Sequence, residues 1–153
     1  METAHIKDLL AYLRISVNPM DSVSWSRILQ LLEGVGVQLC QKITQWLMEG
    51  GIPWERLRSF NAKGKVAVGL STLAQVLEVC SDRTRPSELT HYLMQYYLPT
   101  LRRKYPDDHP KRIRDLEHFL GMTERYRSLE RLLSDVALEP PTNSMDGVLA
   151  VDP

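Results

Sequence analysis

Two glycines separated by one valine, Gly34-Val35-Gly36, interrupt a stretch of helical apolar spacing between Leu31 and Ile43. Glycine lets the backbone adopt a positive φ and approach a partner without a Cβ in the way. A helix that starts directly after such a turn presents unpaired N–H groups and the positive end of its dipole. Together these features predict an anion site suited to a phosphate group.

The spacing around the glycines fits the pattern hxGhG of a helix-hairpin-helix turn, with Leu32 at the first apolar position. We expect Val35 to anchor the turn by burial, and polar side chains of the next helix to add contacts. Such contacts position a protein on a DNA backbone and carry no sequence information. The predicted DNA-contacting residues of this segment are Gly34, Val35, Gly36, Val37, Gln38 and Lys42. A plain connection between two helices, with glycine at a helix end, remains the alternative.

Other candidate sites are weaker. The segment 101–114, LRRKYPDDHPKRIR, concentrates basic side chains that could meet phosphates, but a solvated face is the simpler interpretation. The four histidines and two cysteines show no metal-ligand spacing, so we expect no metal site. A Gly-rich phosphate loop with Lys and Ser/Thr is absent from the sequence, and no nucleophile–base set is legible. We therefore assign no catalytic residue and no cofactor to this chain.

Composition favours an ordinary soluble protein. The 153 residues are 43% hydrophobic and 25% charged, with a formal net charge of zero. No apolar run approaches the roughly 20 residues of a membrane span. The opening METAHIKD has no apolar stretch, so we expect no secretory signal. Cys40 and Cys80 lie in apolar helical contexts and are interpreted as reduced core thiols of a cytoplasmic protein.

Helical spacing dominates the chain and predicts an all-α fold of about seven helices in one compact domain. Asp21 or Ser22 is predicted to cap the second helix and Ser128 the last one, and Gly50-Gly51 is predicted to end a helix. Further expected features are burial of Val23, a helix starting at Ser87, an interruption or kink at Pro99, and a helix from Arg112 to about Tyr126. Residues 142–153 lack a helical period and are expected to be disordered.

The first 43 residues resemble a known family as a unit. The segment ETAHIKDLLAYLRISVNPMDSVSWSRIL, followed by GVGVQLCQKI, resembles UvrD/Rep/PcrA-type superfamily 1 DNA helicases at the start of their insertion called subdomain 2B. The family pattern there is close to E-x-A-E-I-K-D-x-L-A-Y-L-R, and His5 replaces its second acidic residue. Later, RIRDLEHFL and LERLLSDVALE resemble the late helices of that insertion, R-I-x-N-L-E-E-L and L-x-x-F-L-x-x-x-A-L. Between about residue 52 and residue 110, the resemblance to the family extends only to a general helical pattern.

The resemblance implies a 2B-like subdomain over residues 1–139 and a tail, 140–153, that leads back to the helicase core. In the family, two RecA-like domains bind ATP and Mg²⁺ and drive 3′ to 5′ unwinding, while 2B contacts duplex DNA through a G-I-G turn. Gly34-Val35-Gly36 stands where that turn belongs, and Lys7 matches a segment near the duplex. We therefore expect an excised, monomeric module without activity of its own, whose partners are the duplex DNA backbone and the RecA-like core.

Two alternatives remain open from the sequence. The helical faces could form a protein-interaction module without significant DNA contact. The chain could also be a stand-alone helix-hairpin-helix protein, which the neutral charge disfavours.

Overall fold

The computed structural model describes residues 3–138, and this part of the chain is all-α, as predicted. It contains eight helices, one more than the approximate number expected. No strand occurs among these residues. The expectations for the tail, and for a boundary after residue 139, lie outside the described residues. The helices are α1 (Ala4–Val17), α2 (Ser22–Leu29), α3 (Val37–Met48), α4 (Pro53–Ser59), α5 (Gly64–Cys80), α6 (Pro86–Lys104), α7 (His109–Thr123) and α8 (Leu129–Ala137).

The helices form two compact units. Within the described residues, the terminal unit comprises 3–13 and 83–138, and the central unit comprises 14–82. The terminal unit therefore holds most of α1 together with α6, α7 and α8, and the central unit holds α2 to α5. No helix in the described part of the chain is long and apolar enough to cross a membrane.

The terminal unit buries a polar network beside its apolar core. The Tyr97 hydroxyl donates to Asp8 Oδ2 at 2.5 Å, and both side chains are almost fully buried. Arg112 donates to His5 Nδ1 at 3.0 Å, and His5 Nε2 lies 2.8 Å from Asp115 Oδ2. Because Arg has only donors, these contacts fit a neutral His5 whose proton is on Nε2. Burial is the main cause that lowers the pKa of His5 below its ordinary value of 6.5, although Asp115 opposes this shift.

The central unit is a succession of packed neighbours: α2 against α3, α3 against α4, and α4 against α5. Trp25 is fully buried on α2, and its indole N–H donates to the Pro19 carbonyl at 2.7 Å. Between α3 and α4, the Arg56 guanidinium lies 3.5 Å from the centre of the Trp46 ring. Trp46 Nε1 donates to the Arg56 carbonyl, and Arg56 Nη2 donates to the Trp46 carbonyl, each at 2.8 Å. These reciprocal contacts fix the end of α3 and so hold the helix whose beginning is the candidate site.

Several local predictions are confirmed. Asp21 caps α2 by accepting from Ser24 N at 3.0 Å, and Ser128 caps α8 by accepting from Arg131 N at 3.2 Å. The paired glycines after α3 both have a positive φ, as a helix-ending glycine requires. Cys40 and Cys80 are buried and form no disulfide within the described residues. Local hydrogen-bonding rules predicted these features because neighbouring residues alone satisfy them.

Three predictions are wrong. Val23 is 79% exposed, because the first turn of α2 directs it away from the face that buries Trp25 and Ile28. Helix α6 begins at Pro86, a residue suited to the first helical turn, and continues through Pro99 to Lys104. Helix α7 begins at His109 and ends at Thr123, so both of its boundaries precede the predicted ones.

Candidate nucleic-acid interface

The predicted turn connects α2 to α3 in the central unit. Helix α2 ends at Leu29 and α3 begins at Val37, so the connection is longer than the apolar spacing indicated. Three consecutive backbone bonds shape it: Leu31 N to Ile28 O, Leu32 N to Leu29 O, and Val35 N to Leu32 O, at 3.1 to 3.2 Å. The turn is thus built largely from its own backbone, on a scaffold of two packed helices.

Gly34 is the residue that needs to be glycine. Its φ of +87° lies in the left-handed region that other residues rarely adopt. A Cβ added there would lie 2.9 Å from Val66 Cγ2 and 3.2 Å from Lys65 Cε. The turn therefore approaches the start of α5 so closely that a side chain has no room. This requirement is structural and is present whether or not the turn binds a ligand.

Gly36 differs, and the expectation that both glycines adopt a positive φ is wrong for it. Its φ is −93° and its ψ is −169°, an extended conformation open to any residue. A Cβ added at Gly36 would meet no atom within 4 Å. Gly36 is the N-cap of α3 and supplies no side-chain hydrogen bond to the helix. The space in front of the first turn of α3 is consequently open.

The first turn of α3 presents its backbone donors to this space. The first backbone bond of the helix runs from Cys40 N to Gly36 O at 2.9 Å. The N–H groups of Val37, Gln38 and Leu39 precede it, and such groups have no acceptor within their own helix. Their partial positive charge adds to the helix dipole at the same end. This arrangement can hold one oxyanion.

The side chains around these donors are placed largely as predicted. Val35 is buried, 7% exposed, and anchors the turn. Gln38 and Lys42 are exposed on α3 one helical turn apart, and Val37 is 62% exposed. Lys7 is exposed on α1, but it belongs to the terminal unit, so the structure does not group it with the turn.

One cation near the turn was not predicted from the sequence. The stem of Lys65, on α5, packs beside Gly34, which places a positive side chain next to the turn from a distant part of the sequence. Lys65 is exposed, so its ammonium group is available to solvent and to an anion. Glu33, also exposed, precedes the turn and opposes this charge. No sequence signal could have found Lys65, because only the packing of the turn on α5 brings it here.

A metal centre is not among the candidate sites in the described residues. Within residues 3–138, no group of three or more His, Cys, Asp or Glu side chains could hold a metal ion. The one buried cluster of ionisable side chains described above, around His5 and Asp8, is packed inside the terminal unit. The open N-terminus of α3 is therefore the strongest candidate site.

Comparison with known proteins gives one informative similarity. No protein-family model matches the chain. The chain is 26% identical over 157 aligned residues to the ATP-dependent DNA helicase PcrA of Bacillus subtilis (strain 168). The alignment covers 92% of this chain and 21% of that protein, so the chain spans about a fifth of the length of its relative. The chain is thus related in sequence to a UvrD/PcrA-type DNA helicase.

Proposed function

We propose that the chain is a 2B-like subdomain of an ATP-dependent 3′ to 5′ DNA helicase, and that it contacts the backbone of duplex DNA. The sequence relation to PcrA supports the helicase context. ATP hydrolysis, with its Mg²⁺, would belong to RecA-like core domains that act together with this chain. The part played by this chain is to position the duplex.

The observation that carries the proposal is the open start of α3 behind Gly36. Backbone donors and a dipole end meet there without a side-chain capping hydrogen bond, and a Cβ added at Gly36 would meet no atom within 4 Å. Buried Val35 fixes the turn, so the donors are positioned before a ligand arrives. A phosphate of the DNA backbone suits this geometry because its oxygens accept several N–H bonds at once.

The side chains around the donors determine the character of the binding. Lys42 and Lys65 supply long-range attraction to a phosphate, and Glu33 reduces it. With so few charges, binding should be weak and independent of base sequence. Its dependence on salt should be shallow, with a slope of about −0.9 per phosphate neutralised.

An alternative function is favoured by a separate observation. Met20, in the segment that joins α1 to α2, is 52% exposed, and Val23, in the first turn of α2, is 79% exposed. Exposed apolar side chains grouped in this way are typical of protein contacts. A protein-interaction module, docking on the helicase core or on another protein, would use this face and would have no need of the Gly36 donors.

Substituting aspartate for Gly36 tests the proposal. Asp is at least as good an N-cap as Gly, so α3 should remain folded. Its carboxylate would accept the N–H groups that a phosphate needs, and its charge would repel the phosphate. We expect duplex affinity at low salt to fall about tenfold or more, which corresponds to roughly 1.4 kcal/mol. Lys42→Ala should cost less, because an exposed lysine acts mainly through long-range attraction.

Gln45→Glu is the matched control. Gln45 is exposed on α3, so this change adds the same charge to the same helix. It lies about 13 Å from Gly36 along the helix axis, too far for its carboxylate to accept the first-turn N–H groups. Retained binding by the control and lost binding by Gly36→Asp would support the proposal. A folded Gly36→Asp variant that binds like wild type would refute it, and a wild-type chain that ignores duplex DNA would favour the protein-interaction alternative.

A further inference from the structure

A second cationic surface lies in the terminal unit, where α6 ends and α7 begins. The two helices pack against each other and are joined by a loop of four residues, 105–108. The loop brings the last turn of α6 and the first turns of α7 to one end of the helix pair. We name as the α6–α7 basic surface the side chains of Arg102, Arg103, Lys104, Lys111, Arg112 and Arg114.

Part of this charge is already used inside the protein. Arg112 pairs with Asp108 at 3.2 Å and also donates to His5. Lys104 Nζ lies 3.9 Å from the buried Asp8 carboxylate. Within the α6–α7 basic surface, the exposed cations for which residues 3–138 provide no ion-pair partner are Arg102, Lys111 and Arg114.

The loop between the helices is held in place by its aromatic residue. The Arg112 guanidinium lies 3.6 Å from the centre of the Tyr105 ring, and Lys104 Nζ lies 5.4 Å from it. The Tyr105 N–H donates to the Leu101 carbonyl at 2.9 Å, which closes the end of α6. The positions from which the exposed cations project are therefore fixed in advance, and less ordering is needed when a ligand binds.

Helix stability accounts for only half of these charges. Cations in the last turn of α6 interact favourably with the negative end of its dipole, which explains Arg102 and its neighbours. Lys111 is the third residue of α7, where the positive end of the dipole disfavours a cation. The dipole of α7 therefore does not account for Lys111, whose exposed charge is available to an external anion.

We propose that the α6–α7 basic surface binds the phosphodiester backbone of nucleic acid, at a site separate from the Gly36 turn. Two of its three unpaired cations are arginines, whose planar guanidinium groups bind phosphate oxygens in pairs. The choice of nucleic acid over another polyanion rests on the proposed helicase function. The site itself uses none of the residues of the turn, so either site can fail without the other.

The test is a triple substitution in the full 153-residue chain, Arg102→Ala, Lys111→Ala and Arg114→Ala. All three residues are exposed, so the fold should be retained, and a thermal melt checks this. Binding of a fluorescent duplex of mixed sequence is measured at several salt concentrations. We expect affinity at low salt to fall about tenfold or more, and the slope of log affinity against log salt to become shallower by about 2 to 3.

The matched control removes three positive charges elsewhere. Its three arginines, Arg58, Arg85 and Arg131, are exposed, and each pairs with an acidic residue, at 2.7, 3.5 and 3.4 Å respectively. It should leave the salt slope nearly unchanged, and an equal loss in control and test variants would overturn the proposal. The control substitutions are Arg58→Ala, Arg85→Ala and Arg131→Ala.

Two comparisons complete the test. Poly-L-glutamate should displace the duplex poorly at equal charge concentration, and efficient displacement would indicate an acidic protein segment as the ligand instead. Combining the triple variant with Gly36→Asp separates this site from the proposed function. If Gly36→Asp binds like wild type while the triple variant loses affinity, the turn proposal fails and this one stands. If only Gly36→Asp loses affinity, this proposal is overturned.

Discussion

Replacing Gly34 with alanine should destabilise the central unit by about 2–3 kcal/mol. Forcing an L-residue into the left-handed conformation at φ +87° costs roughly 1–2 kcal/mol. The new methyl group would also lie 2.9 Å from Val66 Cγ2. Val66 is β-branched and stiff, so moving it off its rotamer adds about 0.5–1.5 kcal/mol. For a chain of this length the midpoint of thermal unfolding should drop by roughly 4–12 °C.

Two companion variants identify the source of this loss. Gly36→Ala should change stability by less than about 1 kcal/mol, because the lower entropy of the unfolded chain offsets a poorer N-cap. Gly34→Asn should melt above Gly34→Ala, since asparagine tolerates the left-handed conformation but keeps the same Cβ contact. Circular dichroism melts of the three variants provide the assay. An alanine at Gly34 that melts with wild type would show that the turn is not left-handed and that its close approach to α5 is wrong.

Three further stability predictions concern the remaining elements. Burial lowers the pKa of His5, so as pH falls the unfolded chain takes up a proton at this residue before the folded chain does. Stability should therefore decrease below about pH 6.5. Denaturant titrations should show a smaller decrease in the His5→Gln variant. The neighbouring Arg112 strengthens the effect by opposing a charged imidazole, so unchanged stability between pH 7 and pH 5 would contradict it. Tyr97→Phe should lower the free energy of unfolding in urea by about 2–3 kcal/mol, because it removes a 2.5 Å hydrogen bond to the buried Asp8 carboxylate. A loss below about 1 kcal/mol would mean that other donors satisfy this carboxylate without Tyr97. Asp21→Ala should cost about 1 kcal/mol through loss of the α2 cap, and an unchanged melt would argue against the cap.

Features that depend only on neighbouring residues, such as helix caps, could be predicted from the sequence. Caps such as Asp21 and Ser128 depend on bonds spanning three residues, so their positions could be assigned before the fold was known. Pro99 shows the limit of local rules. An interior proline costs a helix about 3 kcal/mol or more, yet α6 also buries Leu93, Tyr97 and Leu101, whose combined burial outweighs that cost.

Tertiary contacts explain most of what sequence reasoning missed at the candidate site. The segment, the burial of Val35 and the exposure of Lys42 were predicted, since they follow from the helical period around the glycines. The different roles of Gly34 and Gly36 were not, because only the packing of Gly34 on α5 separates them. The same packing brings Lys65 to the turn.

Pairing across the fold also explains a departure from the family pattern. The pattern has an acidic residue where this chain has His5, and an asparagine where it has Asp115. In the structure these two side chains are partners at 2.8 Å. The residues next to His5 or next to Asp115 in the sequence could not have predicted this pairing.

The most direct test of phosphate contact at the turn observes the backbone donors themselves. Nuclear magnetic resonance spectra of the ¹⁵N-labelled chain, titrated with a short DNA duplex at low salt, report each amide separately. If the start of α3 binds phosphate, the N–H signals of Val37, Gln38 and Leu39 should show the largest shifts within the central unit. These shifts should disappear in Gly36→Asp. Duplex binding that leaves these three amides unmoved would contradict the account, whatever other surface of the protein responds.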